Sequence, residues 1–247
     1  MDPFSRYIFF NHSRNNTFNK EEVAFYGEVE SKDFITGYDL AKRLHLKTGF
    51  LRNDKTPWLY FVYKGEVIMV PKTDIRHSIS WLDLYNVGAV YSSPGYGHAP
   101  IGLKIPQTAS VEIDRRHYDV TLLKGMGEED HVTHHGDLWY GWDSPETHYS
   151  EWNELLYRVH SGEHTNPLNP TEPHYPYREW ASYRDEELNL QYTLSKESGS
   201  WCQERAFYHD SDRRVFRGFV GITHINRIPP TTRSVDIGWR PALRLIR

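Results

Sequence analysis

The clearest alternation of structural signals lies between residues 58 and 71. Two runs rich in aromatic and β-branched side chains, Trp58 to Tyr63 and Glu66 to Pro71, flank the dipeptide Lys64-Gly65. Such runs favour strands, and a two-residue connection that contains glycine is typical of a tight hairpin. The pattern therefore predicts an antiparallel strand pair.

Two helix starts are predicted from capping-box spacing. Thr36 and Ser80 are each followed three residues later by an aspartate, and apolar positions at helical spacing come next. Gly49 and Gly88 are the predicted ends of these two helices.

The segment 150–160 carries the strongest helical periodicity. Ser150 is the predicted N-cap, and apolar residues at i, i+3, i+4 and i+7 give a single stripe to be buried on the sheet: Trp152, Leu155, Leu156 and Val159.

The second half of the chain is predicted to be mostly β. Residues 113–123 and 214–222 read as strands, and Leu243 and Leu245 alternate with Ala242 and Arg244 in a closing strand. Arg217 and Arg240 are expected to stack on Trp201 or Trp239 and to pair with Glu204. The predicted structural core residues are Trp152, Trp201, Arg217, Trp239 and Arg240.

Composition limits the organisation and the class of protein. The chain has 247 residues, which favours one domain at 28–247 preceded by an arm at 1–27. Aromatic residues make up 15% of it, and the net charge of −4 disfavours a nucleic-acid partner. One cysteine excludes an intrachain disulfide. No signal peptide or membrane span is evident, so a soluble protein without an export address is expected.

Candidate catalytic and metal groups are weak. His131, His134 and His135 have ligand-like spacing, but the segment lacks apolar periodicity and is broken by Gly136, which favours a solvated loop. Cys202 fits a buried thiol better than a nucleophile. No serine-hydrolase, phosphate-binding or dinucleotide motif occurs. We therefore predict no catalytic residue, no cofactor and no metal.

The order of short motifs resembles tailed-bacteriophage virion structural proteins. The motifs are Trp58-Leu59-Tyr60-Phe61, Val70-Pro71-Lys72, Ser80-Trp81, Leu122-Leu123-Lys124-Gly125, Glu151-Trp152-Asn153-Glu154-Leu155, Trp201-Cys202-Gln203-Glu204, Arg217-Gly218 and Gly238-Trp239-Arg240-Pro241. The ending also resembles C-type-lectin-like folds of the formylglycine-generating type. This resemblance implies an α+β fold, with two to three short helices on a twisted, loop-rich antiparallel sheet.

Two departures limit what the resemblance carries over. Formylglycine-generating enzymes use a pair of cysteines, and this chain has only Cys202. Calcium-dependent lectins hold sugar with a Glu-Pro-Asn or Gln-Pro-Asp loop, whereas Glu172-Pro173-His174 offers no oxygen ligand at its third position.

The resemblance implies a non-enzymatic component that is made in the host cytoplasm and located in the virion. It would be attached to capsid, collar or tail by protein–protein contacts and be oligomeric in the particle. The alternative is a receptor-binding domain whose loop at 161–178 and following residues stack on host cell-surface glycan. The contact residues in that alternative are His174, Tyr175, Tyr177 and Trp180. A loop packed on its own domain or on a neighbouring subunit is the simpler interpretation of the same residues.

Overall fold

A computed structural model of the chain describes residues 23–100, 102–126, 150–161, 180–190, 199–205, 212–219 and 221–246. Within these residues, twelve strands form two six-stranded sheets. The strands are β1 (Val23–Val29), β2 (Phe50–Leu51), β3 (Trp58–Tyr63), β4 (Glu66–Pro71), β5 (Arg76–His77), β6 (Ser110–Ile113), β7 (Arg116–Leu122), β8 (Gly199–Arg205), β9 (Arg214–Arg217), β10 (Ile225–Ile228), β11 (Ile237–Trp239) and β12 (Pro241–Leu245). The α-helices are α1 (Gly37–Arg43), α2 (Trp81–Asn86) and α3 (Asp185–Leu188), with a 3₁₀ turn at Ser31–Asp33 and a π-helical segment at Trp152–Tyr157.

The first sheet, sheet A, has the strand order β1-β3-β4-β12-β7-β6, and all its neighbours are antiparallel. The predicted hairpin is confirmed as β3 and β4, and Lys64 and Gly65 both have positive φ, as a two-residue type I′ turn requires. The predicted closing strand is also confirmed. Leu243 of β12 lies opposite Met69 on one side and Val120 on the other.

Both faces of sheet A are buried. Alternate side chains of β3 enter two different cores, because successive residues of a strand point to opposite faces. Core 1 contains Trp58, Tyr60, Met69, Trp81, Tyr118, Trp201, Phe216, Trp239 and Leu243 among others. Core 2 contains Leu59, Phe61, Ile68, Val70, Trp152, Leu155, Leu156, Cys202 and Val215 among others. Burial on both faces explains why β3 is a continuous apolar run.

The second sheet, sheet B, has the order β10-β9-β8-β11-β5-β2. Its β8–β11 pair is parallel, with Ile237 opposite Gly199, and its other pairs are antiparallel. Residues 237–245 therefore supply one strand to each sheet, which joins the sheets through the chain's last segment.

The helix starts are confirmed, and one predicted end is wrong. The hydroxyls of Thr36 and Ser80 each accept the N–H of the aspartate three residues on, at 3.1 Å in both cases. Helix α2 ends just before Gly88. Helix α1 ends at Arg43, several residues before Gly49, because Leu44 already closes the last turn through its N–H to Leu40. Gly49 instead leads into β2.

The segment 150–160 is helical as predicted, but part of it is a π-helix instead of an α-helix. Ser150 caps it as predicted, since its Oγ accepts the N–H of Asn153 at 3.2 Å. However, Trp152–Tyr157 is π-helical, and all six of its residues are buried. The four residues of the predicted stripe, Trp152, Leu155, Leu156 and Val159, all lie in core 2 as predicted, and Asn153 and Glu154 are buried as well.

The predicted boundary between an arm and a domain falls inside a strand. Residues 23–29 form β1, which pairs with β3 from Val23 opposite Tyr63 to Val29 opposite Trp58. Residues 23–27 therefore belong to sheet A.

The described residues form an α+β structure that is dominated by antiparallel sheet and contains few short helices. No helix among them is long and apolar enough to cross a membrane.

Candidate functional site

Two buried arginines flank one tryptophan. Arg217 and Arg240 are fully buried, and each guanidinium carbon lies 5.7 Å from the centroid of the Trp152 ring. The predicted stacking on Trp201 or Trp239 is therefore corrected. Trp239 directly precedes Arg240, and its ring enters core 1 on the opposite face of the sheet.

Arg217 ties three segments together. Its Nε donates to the carbonyl of His224 at 3.2 Å, its Nη1 to that of Gly125 at 2.7 Å, and its Nη2 to Oδ1 of Asn153 at 3.1 Å. Burial, with a smaller effect of the Arg217 charge, lowers the pKa of His224 to about 4. These contacts assign Arg217 a structural role.

Arg240 and Asp74 lie in a second polar contact region. Arg240 Nη2 donates to the carbonyl of Leu188, and burial lowers the pKa of the guanidinium to about 10 although Asp74 acts in the opposite direction. Asp74 is fully buried, 3.4 Å from Arg52 Nη1, and accepts from Asn189 Nδ2 at 2.5 Å. This region fixes the end of α3 to sheet B.

A pair of carboxylates that the sequence did not predict lies on consecutive backbone amides. Glu151 accepts the N–H of Lys124, and Glu204 accepts that of Gly125, both at 3.0 Å. Nη2 of Arg244 also donates to both carboxylate oxygens of Glu151, at 2.7 Å to Oε1 and 2.6 Å to Oε2. Burial raises the pKa of Glu204 to about 7, with a small contribution from the Glu151 charge. Only the fold brings these distant acids together.

A histidine–aspartate pair also went unpredicted. Nε2 of the fully buried His160 lies 2.9 Å from Oδ1 of Asp185. The pair joins the end of the π-helical segment to the start of α3. Across the described ranges, no group of three or more His, Cys, Asp or Glu side chains has the arrangement to hold a metal ion.

Cys202 is a buried thiol, as predicted. It is fully buried, and burial raises the pKa of the thiol well above its usual range. A Cβ added to Gly125 would lie 2.6 Å from its Sγ, so the sulfur is packed directly against backbone. A thiol in this environment is a poor nucleophile.

Three of the four predicted glycan contacts, His174, Tyr175 and Tyr177, lie outside the described residues. The histidines with ligand-like spacing, His131, His134 and His135, also lie outside them. Trp180 is described and is partly buried, with its ring centroid 6.0 Å from that of Phe25. Trp180 therefore packs on β1 of its own chain.

Among the described residues, exposed apolar side chains lie at the β2 edge of sheet B. Phe50 and Leu51 of β2 are 67% and 42% exposed, and Val235 is 56% exposed. Arg52 connects them, because its Nη2 donates to the carbonyl of Val235. We call Phe50, Leu51 and Val235 the β2 edge patch. Its short sequence signal, two apolar residues after Gly49, was too weak to predict.

No protein-family model, no curated protein and no solved structure matches this chain.

Proposed function

We propose that the chain is a non-enzymatic structural component of a tailed-bacteriophage particle, attached to capsid, collar or tail by protein–protein contacts. The proposal combines the motif order in the sequence with one structural observation, the β2 edge patch. Large exposed apolar side chains beside a strand edge are a surface to which other chains can bind.

The buried charged groups support a structural function for the interior. Arg217, Glu151 and His160 each bond to groups that hold separate segments of the fold together. Buried ionisable groups also occur in active sites. Here their shown bonds go to backbone, to the Asn153 side-chain amide and to opposite charges, which is the arrangement expected of a cross-linked interior.

We also propose that the α+β fold is a variant of the C-type-lectin-like class. The C-terminal strands support it, because such folds close with a Gly-aromatic-Arg strand, and here Gly238 and Trp239 lie in β11, directly before β12. An experimental structure of the whole chain with a different sheet topology would exclude this assignment.

Mass spectrometry of purified particles tests the proposed function. We expect the chain in particles of the phage that encodes it, at a constant ratio to the major capsid protein across a density gradient. An abundant non-particle protein of the same infection is the control for carry-over. Loss of the chain from particles during gradient purification, in parallel with that control, would contradict the proposal.

A host-cell adsorption assay tests the alternative that the chain binds glycan. Tyr175→Ala and Tyr177→Ala particles adsorb to host cells normally if the chain is only structural. A large loss of adsorption with normal particle assembly would replace the structural proposal with a receptor-binding one.

A further inference from the structure

We infer that the β2 edge patch binds an extended, acidic and apolar segment of a different particle protein, which adds to sheet B as a strand beside β2. This inference rests on the proposed function, since it names the partner's chemistry for a particle component.

Within the described part of the chain, one side of the β2 backbone has no strand paired to it. There, β2 is the last strand of sheet B and pairs with β5 alone, with Phe50 opposite His77 and Leu51 opposite Arg76. The N–H of Arg52 donates to the carbonyl of Ile75 at 3.0 Å, which continues the ladder by one residue. In antiparallel pairs the hydrogen-bonding direction alternates along the strand, so the N–H and C=O of Leu51 point away from β5. An added strand would bond to these groups.

The side chains beside this free backbone are apolar and exposed. Phe50 stands against the His77 ring, with ring centroids 5.7 Å apart. Burial, together with the charges of Arg52 and Arg76, lowers the pKa of His77 below its usual value. The neutral His77 ring therefore extends the apolar surface of Phe50 at neutral pH.

The charged residues near β2 indicate which kind of partner segment would bind. Lys47 and Lys55 are exposed on either side of β2 in the sequence, and neither forms an ion pair with a carboxylate of the described residues. Of the neighbouring carboxylates, Asp74 pairs with Arg52, and Asp54, which accepts the N–H of Tyr38 at 2.6 Å, keeps its negative charge. Residues 47–55 contain Lys47, Arg52 and Lys55 against Asp54 alone, so the segment that carries β2 has an excess of positive charge.

This charge favours an acidic partner over a second copy of the chain. Two copies joined through β2 would bring their lysines into one interface, and like charges across an interface are unfavourable. Lysines beside a short edge strand are a common protection against self-pairing. The same lysines attract a segment that carries aspartate or glutamate.

Photo-cross-linking in assembled particles tests the inference. Phe50→p-benzoylphenylalanine keeps an aromatic side chain at the patch, and Tyr96→p-benzoylphenylalanine is the matched control, because Tyr96 is 44% exposed and lies outside β2. We expect position 50, but not position 96, to cross-link to a different particle protein at a segment containing apolar residues and at least two acidic residues.

A charge-reversal variant tests whether the two lysines contribute to binding of the acidic segment. Lys47→Glu with Lys55→Glu should reduce the cross-link yield from position 50 by roughly tenfold, because like charges then face each other. A synthetic peptide of the cross-linked segment should bind the purified chain, and its version with each Asp and Glu changed to Asn and Gln should bind roughly tenfold more weakly.

Three results would overturn the inference while the chain is present in particles: no cross-link from position 50, a cross-link to a second copy, or a segment without acidic residues. Absence of the chain from particles would instead overturn the proposed function itself.

Discussion

The surroundings of Trp152 and the β2 edge patch invert the usual distribution of charge and apolar surface. Around Trp152, two guanidinium groups are fully buried, and Arg217 alone makes three hydrogen bonds to separate segments. At the β2 edge, Phe50 and Val235 remain mostly exposed. Each guanidinium nitrogen of Arg217 has a hydrogen-bond partner inside the fold, whereas the described chain leaves most of the Phe50 and Val235 side chains uncovered. The contrast indicates that the first region determines stability and the second determines binding.

Arginine suits the interior role for a physical reason. Its guanidinium is planar and weakly hydrated, so it can lie on an aromatic face while its N–H groups bond to carbonyls. Burying such a group is favourable only when these bonds are made, so the Trp152 region should tolerate substitution poorly.

Removing the C-terminal strands should have the largest effect. A chain that ends at Arg233 lacks β11 and β12, and so loses the fully buried Trp239 and Leu243 and the centre of sheet A. Each large buried side chain contributes about 1.5–3 kcal/mol, and the free energy of unfolding of a whole domain is only about 5–15 kcal/mol. We expect insoluble protein without a cooperative thermal transition.

A chain that begins at Val23 is the control for that truncation, because it retains all of β1. It should melt cooperatively. A soluble chain ending at Arg233 with an unchanged melting temperature would show that the C-terminal strands are dispensable.

Arg217→Ala should have the next largest effect. The change leaves a cavity beside Trp152 and removes the donor from three acceptors, which should lower the free energy of unfolding by about 3–5 kcal/mol. Urea denaturation measures it. Arg213→Ala is the matched control, since Arg213 is only partly buried and its one shown bond, to the Arg227 carbonyl, is 3.3 Å long. Equal effects of the two changes would contradict the role assigned to Arg217.

Gly125→Ala should destabilise the same region by overpacking. The new Cβ would meet Cys202 Sγ at 2.6 Å and Arg217 Cγ at 3.1 Å, so a loss of about 1–3 kcal/mol is expected. Cys202→Ala removes the sulfur, and the double variant should be less unstable than the sum of the single changes. Strict additivity in chemical denaturation would show that the two residues do not interact.

Glu204→Gln should change how stability depends on pH. The pKa of Glu204 is raised to about 7 in the folded state from an ordinary value of 4.5, so between these values the folded chain binds more protons than the unfolded chain. This group therefore stabilises the fold below pH 4.5, and the contribution is lost as the pH rises to about 7. After allowance for its partial exposure, Glu204→Gln should gain on the order of 2 kcal/mol relative to wild type between pH 4.5 and 8.

His224 has the opposite effect on the same curve. Its pKa is lowered to about 4 from 6.5, so its contribution to stability is lost as the pH falls through this range. Because His224 is common to both proteins, the difference between Glu204→Gln and wild type isolates Glu204. A difference that does not change with pH would contradict the raised pKa.

The parts of the fold that the sequence predicted are those with local causes. The hairpin depends on Lys64-Gly65, and the helix starts depend on hydroxyls at Thr36 and Ser80 that bond three residues away. The π-helical segment was missed because apolar positions at i, i+3 and i+4 fit either helix type. The predicted stacking of the two arginines on Trp201 or Trp239 was wrong because stacking depends on which sheet face each tryptophan occupies.

The candidate site was less predictable than the fold. β2 contains only Phe50 and Leu51, too short a run to show a period, and their exposure depends on which strands pair elsewhere. Glu151 and Glu204 meet only through the backbone at 124 and 125. Such groupings arise from tertiary structure alone.

The most direct test of the account compares Phe50→Ser with wild type in two measurements, the melting temperature of the purified chain and its abundance in purified particles. Phe50 is 67% exposed, so the free energy of unfolding should change by no more than about 0.5 kcal/mol. We expect an almost unchanged melting temperature together with a severalfold loss from particles. Normal abundance of Phe50→Ser in particles would contradict the assignment of the β2 edge patch as the binding surface.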